Sequence, residues 1–200
     1  MRTVDPVKHE AKRRHILAAA AHCFSRKGFE RTTTAEICRT AGISSGSLFH
    51  YFPNKKAIFR AIFEQDARDN EARIAEVRDS ADPVAAVLEL VEHMTRPLLD
   101  DPGAAGLVNE VIAQAPRDPE LAEQLGRNDF QVRQGLVELL ERAVADGRID
   151  AELDLWQTTG WISALVDSVY ARLSMEPDLD PHRELATVKL ILTRFLRVEP

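Results

Sequence analysis

Apolar residues recur along almost the whole chain at spacings of three and four, the period of a helix with one buried face, and no segment alternates with the period of two expected of a strand. Punctuation divides this pattern. Aspartate stands directly before proline at Asp5-Pro6, Asp82-Pro83, Asp101-Pro102, Asp118-Pro119 and Asp180-Pro181. Each pair supplies a capping carboxylate and then a residue whose fixed φ suits the first helical turn, where its missing N–H is not needed. The last four pairs mark helix starts. Gly28 and Gly147 follow basic or strongly periodic runs and serve as stops. The reading is an all-α chain of nine helices, at about 8–27, 34–41, 45–51, 55–79, 83–99, 102–115, 119–146, 154–175 and 181–197.

The second and third helices are short and lie around a tight turn. Thr33 and Glu36 have the spacing of a capping box, so a helix starts at about Thr34. Gly42 ends it, Ser44 caps the next, and Pro53-Asn54 interrupts the chain before Lys55. This is helix-turn-helix geometry. Ile37, Ala41, Ile43, Leu48 and Phe52 are spaced to share one small core, which leaves Thr33, Ser44, Ser45, Ser47, His50, Tyr51, Lys55 and Lys56 facing outward. The hydroxyl of Thr33 and the adjacent N–H groups can hold a phosphate at a helix N-terminus. Ser44 is a further nucleic-acid-binding candidate, and base reading falls to Ser45, Gly46, Ser47 and His50, with Gly46 allowing close approach of the main chain. Tyr51 can instead be a core residue, between His50 and Phe52, and His50 a solvated cap.

The order Gly-Phe, Thr-Thr, Ile, Ala-Gly-Ile-Ser, Gly-Ser-Leu, His-Tyr-Phe, Asn-Lys-Lys resembles the DNA-binding domain of TetR/AcrR-type bacterial transcriptional regulators over about residues 10 to 60. The resemblance implies that Thr33, Tyr51 and Lys55 contact the DNA backbone, that residues 1–54 form the DNA-binding domain, and that residues 55–200 bind a ligand and dimerise. It also implies a repressor that meets a palindromic operator as a homodimer and is released by a small-molecule effector. Many relatives carry lysine or arginine where this chain has Ser45, so the usual donor fork for guanine is missing. Lys8, Lys12, Arg13 and Arg14 are candidates to compensate by reaching phosphates or the minor groove.

Charge agrees with this division. The 200 residues carry a net charge of -6, yet the first sixty hold 12 Lys and Arg against 4 Asp and Glu, leaving 14 against 28 for the rest. Positive potential is concentrated where a polyanion would dock. No apolar run approaches 18 residues and the N-terminus is charged, which points to a cytoplasmic protein without a membrane partner. Cys23 and Cys38 fall on apolar helical positions without CxxC spacing and read as small core residues.

The larger domain contains no HExxH, ExxH pair, GxSxG or phosphate-cradling glycine loop, so neither an enzyme nor a cofactor is indicated. Such a domain offers a pocket between helices. The resemblance places it among the fifth to eighth helices, with His93, Met94, Asn109, Ile112, Phe130, Arg133 and Trp161 as candidate lining residues. The last two helices carry apolar stripes, Ile162, Leu165, Val166, Val169, Tyr170 and Leu173 on one and Val188, Ile191, Leu192 and Phe195 on the other. Beside the first stripe, Gly160, Ala164, Ser168 and Ala171 permit close helix approach. These helices can simply cap the protein's own core, whereas the resemblance implies a four-helix dimer interface made from the two final helices of each subunit. The second reading is a DNA-bound adaptor controlled by a protein partner, which requires a filled second domain without a cavity.

Overall fold

The computed structural model describes residues 5–176 and 178–197. Among them there are nine α-helices and no strand: α1 (Pro6–Lys27), α2 (Thr34–Ala41), α3 (Ser45–Tyr51), α4 (Lys55–Val77), α5 (Pro83–Asp100), α6 (Gly106–Gln114), α7 (Pro119–Ala145), α8 (Leu155–Met175) and α9 (Pro181–Phe195), with short 3₁₀ turns at Pro102–Ala105 and Ala115–Arg117. Every Asp-Pro aspartate caps. Asp5 accepts from Val7 N–H, Asp82 from Ala85, Asp101 from Gly103, Asp118 from Leu121 and Asp180 from His182. Asp5-Pro6 is therefore also a helix start, so α1 begins two residues before the expected position.

The helix expected at 102–115 is split. Pro102–Ala105 winds as a 3₁₀ turn and only Gly106–Gln114 is α-helical. Glycines at 103 and 106 lower helix propensity there, and Gly106 lies directly against the backbone of α1: a Cβ at this position would stand 2.2 Å from the Ser25 carbonyl oxygen.

Two buried cores divide the chain. The first joins Ile16, Leu17, Ala20, Cys23 and Phe24 of α1 to Ile37, Cys38, Leu48 and Phe52, then continues along α4 through Phe63 and takes in Leu121 of α7. Phe24, Phe29, Phe59 and Phe63 form a chain of ring contacts with centroids 5.1–5.6 Å apart. Cys23 and Cys38 are both buried free thiols. The second core runs from Ile74 and Val77 of α4 through α5, α7, α8 and α9 to Leu196. Helix α4 thus belongs to both cores.

Candidate nucleic-acid interface

The turn at Gly42 has φ +61°, the left-handed conformation that ends α2. Before it, Thr33 and Glu36 form both halves of a capping box: the Glu36 N–H donates to Thr33 Oγ1 at 3.2 Å, and the Thr33 N–H donates to Glu36 Oε2 at 3.1 Å. The Lys27 ammonium, and after it the Thr33 backbone N–H, hold the Glu36 carboxyl down at about 2. Ser44 caps α3 by accepting from Ser47 N–H at 3.2 Å. Ile37, Ala41, Leu48 and Phe52 are buried beneath, and Ile43 packs against them.

This local frame leaves Thr33, Ser44, Ser45, Gly46 and His50 exposed, with Ser47 half-buried beside them. Tyr51 is also half-buried, tilted against the His9 ring at 4.5 Å and edge-on to His50 at 5.4 Å. The start of α1 therefore shares a cluster of rings with the end of α3. That contact is absent from the sequence pattern, because His9 and Tyr51 lie on different helices.

Three basic residues are engaged elsewhere. Lys55 is turned inward: its Nζ donates to the carbonyls of Phe29 at 2.6 Å, Thr32 at 2.9 Å and Glu30 at 3.2 Å, and lies 4.4 Å from the centre of the Phe29 ring. An ammonium has three protons, and all three have acceptors. Lys55 thus holds the loop that leads into α2. Arg13 donates to Gln65 Oε1 at 2.9 Å and pairs with Glu64, and Arg14 pairs with Asp69 at 2.7 Å. Both tie α1 to α4. Lys8 is exposed, with Asp5 at 3.7 Å, and Lys12 is half-buried.

The candidate pocket residues do not converge on one point. His93 lines an open groove of about 610 Å³ between α4 and α5, together with Asp69, Arg73, Glu76, Glu89, Glu92 and Arg96. Burial, and next to it Arg73, lowers the pKa of the His93 imidazole. Met94 packs against the second core and its carbonyl accepts from the Tyr170 hydroxyl at 2.8 Å. Phe130 and Arg133 gather on Trp156, with ring centroids 5.7 Å apart and the guanidinium 3.9 Å above the indole. Arg133 also donates to the Trp156 carbonyl and to Thr159 Oγ1. Asn109, Ile112 and Trp161 are exposed, the last two by 67% and 59%.

The expected dimer stripe is corrected in part. Val188 and Leu192 point into the second core, as do Ile162, Val166, Val169 and Leu173, and Gly160 faces the Arg133 guanidinium. Ala164 is exposed, Ser168 and Ala171 are half-buried, and Ile191 and Phe195 remain open. Trp161, Met175 and Leu190 are also exposed. The sequence pattern placed all apolar positions on one face, whereas each helix has two, one inward and one outward.

Among the described residues no helix is long and apolar enough to cross a membrane. The chain matches the family model "Bacterial regulatory proteins, tetR family" over residues 16–62 and the model "BetI-type transcriptional repressor, C-terminal" over residues 83–197. It is 28% identical over 175 residues to the HTH-type transcriptional regulator UidR of Escherichia coli K12, covering 86% of this chain and 88% of UidR. Among solved structures, GusR of Salmonella enterica is 28% identical, with a TM-score of 0.70 over 98% of this chain and 100% of that one. FadR of Bacillus subtilis, solved in complex with stearoyl-CoA, shares the fold at 19% identity, with a TM-score of 0.72 over 90% and 96% of the two chains. The two family models together span most of the chain, and it belongs to the TetR family of bacterial DNA-binding transcriptional regulators.

Proposed function

We propose that this protein is a repressor that binds a palindromic operator as a homodimer and leaves it when a small molecule occupies the second domain. The observation that carries this reading is the sharing of α4 between both cores, with the loop before α2 tied to it by Lys55. A shift of α4 in the second domain is thereby passed to the reading head. Thr33 and the free N–H groups at the start of α2 hold phosphate, Tyr51 contacts the backbone, and Ser44, Ser45, Gly46, Ser47 and His50 meet the bases. One seven-residue helix spans few base pairs, so two copies related by two-fold symmetry are needed for a long site.

The outward faces of α8 and α9 supply the surface between copies: Trp161, Ala164 and Met175 on one, Leu190, Ile191 and Phe195 on the other. Ser168 and Ala171 leave room for a close helix crossing. The groove of about 610 Å³ between α4 and α5 is open to solvent and suits a small molecule or a protein segment alike, so the choice between the two signals rests on the likeness to FadR. That FadR was solved with stearoyl-CoA supports small-molecule binding on this fold.

The test is selection of the purified protein against random duplex DNA, followed by titration of the enriched pool across salt. A palindromic consensus whose affinity falls steeply with salt is expected. Failure to enrich any sequence, with the protein folded and dimeric, would overturn sequence-specific repression.

A further inference from the structure

Four residues of α3 are open to solvent: Ser45, Gly46, Phe49 and His50. Spacings of three and four put them on one face, above the buried Leu48. Phe49 is the apolar member. It is 49% exposed, belongs to neither buried core, and takes no part in the ring contacts that link His9, His50, Tyr51 and Phe52. Gly46 stands three residues before it with open space around it: an added Cβ would meet only Ser44 Oγ, at 4.0 Å. The surface beside the phenyl group is therefore not filled by a side chain at 46, and a base edge can reach the ring from there.

What this face can read is narrow. Helix α3 is Ser-Gly-Ser-Leu-Phe-His-Tyr, without Arg, Lys, Asn, Gln, Asp or Glu. Those are the side chains that recognise guanine, adenine or cytosine by matched hydrogen bonds in the major groove. The Ser45 and Ser47 hydroxyls can each donate or accept, and so they separate one base from another weakly. Phe49 has no hydrogen-bonding group at all. The base edges in the major groove are polar except at one place, the C5 methyl group of thymine. Against any other edge a phenyl ring strips water from a polar group without replacing the hydrogen bond, which is unfavourable. Against the methyl it buries apolar surface on both sides.

We propose that Phe49 is a specificity-determining residue whose ring packs on the C5 methyl group of a thymine in each half-site. This apolar contact stands in for the donor forks that α3 lacks. The proposal rests on the reading that α3 meets the bases, and it names the base that one side chain of α3 selects. A phosphate contact is not open to Phe49, since a phenyl group offers a phosphate oxygen no strong donor.

The experiment starts from the operator that the wild type selects out of random duplexes. Each thymine is replaced in turn, symmetrically in both half-sites, by deoxyuridine, which keeps every hydrogen-bonding group and lacks only the methyl. Burying one methyl group is worth about fourfold in affinity, so loss of two should weaken wild-type binding about tenfold or more at one symmetric pair of positions. Phe49→Ala should bind the thymine operator about as weakly as the wild type binds the uracil one, and should be indifferent to the exchange. Selection with this variant should lose the preference for thymine at that position alone. Phe49→Leu keeps an apolar side chain and should retain part of the uracil penalty; if Phe49→Ala fails to fold, a changed penalty in Phe49→Leu decides on the same terms. An operator whose affinity is unchanged by uracil at every thymine overturns the proposal, as does a penalty that both variants retain in full, and either result leaves α3 as the base reader. A folded wild type that enriches no sequence overturns the base-reading role of α3 and the proposal with it.

Discussion

The carboxylate of Glu110, on α6, accepts the backbone N–H of Phe29 at 2.7 Å across 81 residues of chain. Phe29 lies in the loop between α1 and α2, and the same loop has its carbonyls on Lys55. The loop is held from both sides, by a helix of the second domain and by the first residue of α4. Replacing Glu110 by alanine leaves the Phe29 N–H without its acceptor at a cost of about 1–3 kcal/mol. The expected outcome is faster hydrogen exchange at the Phe29 amide together with weaker operator binding. Unchanged exchange would show that the contact does not hold the loop.

Lys55→Ala should lower stability, because three carbonyls lose a charged donor, at about 1–3 kcal/mol in total. DNA affinity should fall through the loosened loop while the slope of log affinity against log salt stays the same, since no phosphate contact is removed. A slope reduced by about one unit in a variant of normal Tm would mean that Lys55 swings out to a phosphate on the operator.

Gly106→Ala tests the junction between α1 and α6. The added methyl would lie 2.2 Å from the Ser25 carbonyl oxygen, a backbone atom with little freedom to yield. Overpacking of this kind costs about 1–3 kcal/mol. A lowered Tm and a weakened response of DNA binding to effector are expected. Wild-type values in both measurements would place α6 further from α1 than described here.

Ile191→Arg and Phe195→Asp place charge on the outward face of α9, where both residues are open. Sedimentation should find a folded monomer with operator affinity reduced by about a hundredfold or more, since one half-site remains. A dimer of unchanged stability would move the interface to another surface.

Asp66 sets a pH dependence. Its carboxyl is raised from the ordinary value near 3.8 to about 7, so between those values the folded protein binds more protons than the unfolded chain and stability falls as pH rises. The charge that raises it after burial is Asp69, one turn along the same helix and itself paired with Arg14. Asp66→Asn should therefore raise Tm only slightly at pH 8, because water screens a side chain more than a third exposed, and change it little at pH 5. Equal Tm values at pH 8 would mean that the carboxylate is already compensated.

The reading head was legible because its signals are local. Thr33 with Glu36, Ser44 with Ser47 and Gly42 in its turn act over four residues or fewer, and any chain with that spacing forms the same caps. The pocket and the dimer face were not legible to the same degree. Periodicity marks which positions are apolar but not which of two buried directions each one takes, and so Val188 and Leu192 carry the pattern of a partner-facing stripe although they fill the protein's own core. Exposed Trp161 and Ile112 are not separable from His93 by pattern, because aromatic and aliphatic residues have the same spacing whether they line a recess or an outer surface.

By itself the sequence determined the number of helices, where nearly all of them begin and end, the basic first third and the family. Those properties depend on hydrogen bonds and charges between near neighbours in the chain. Only the tertiary structure decided that Arg13 and Arg14 pair with residues of α4 and that Lys55 and Glu110 hold one loop. Each of those depends on how helices distant in sequence cross, and the crossing is set by the packing of two whole cores, which no short stretch of residues encodes.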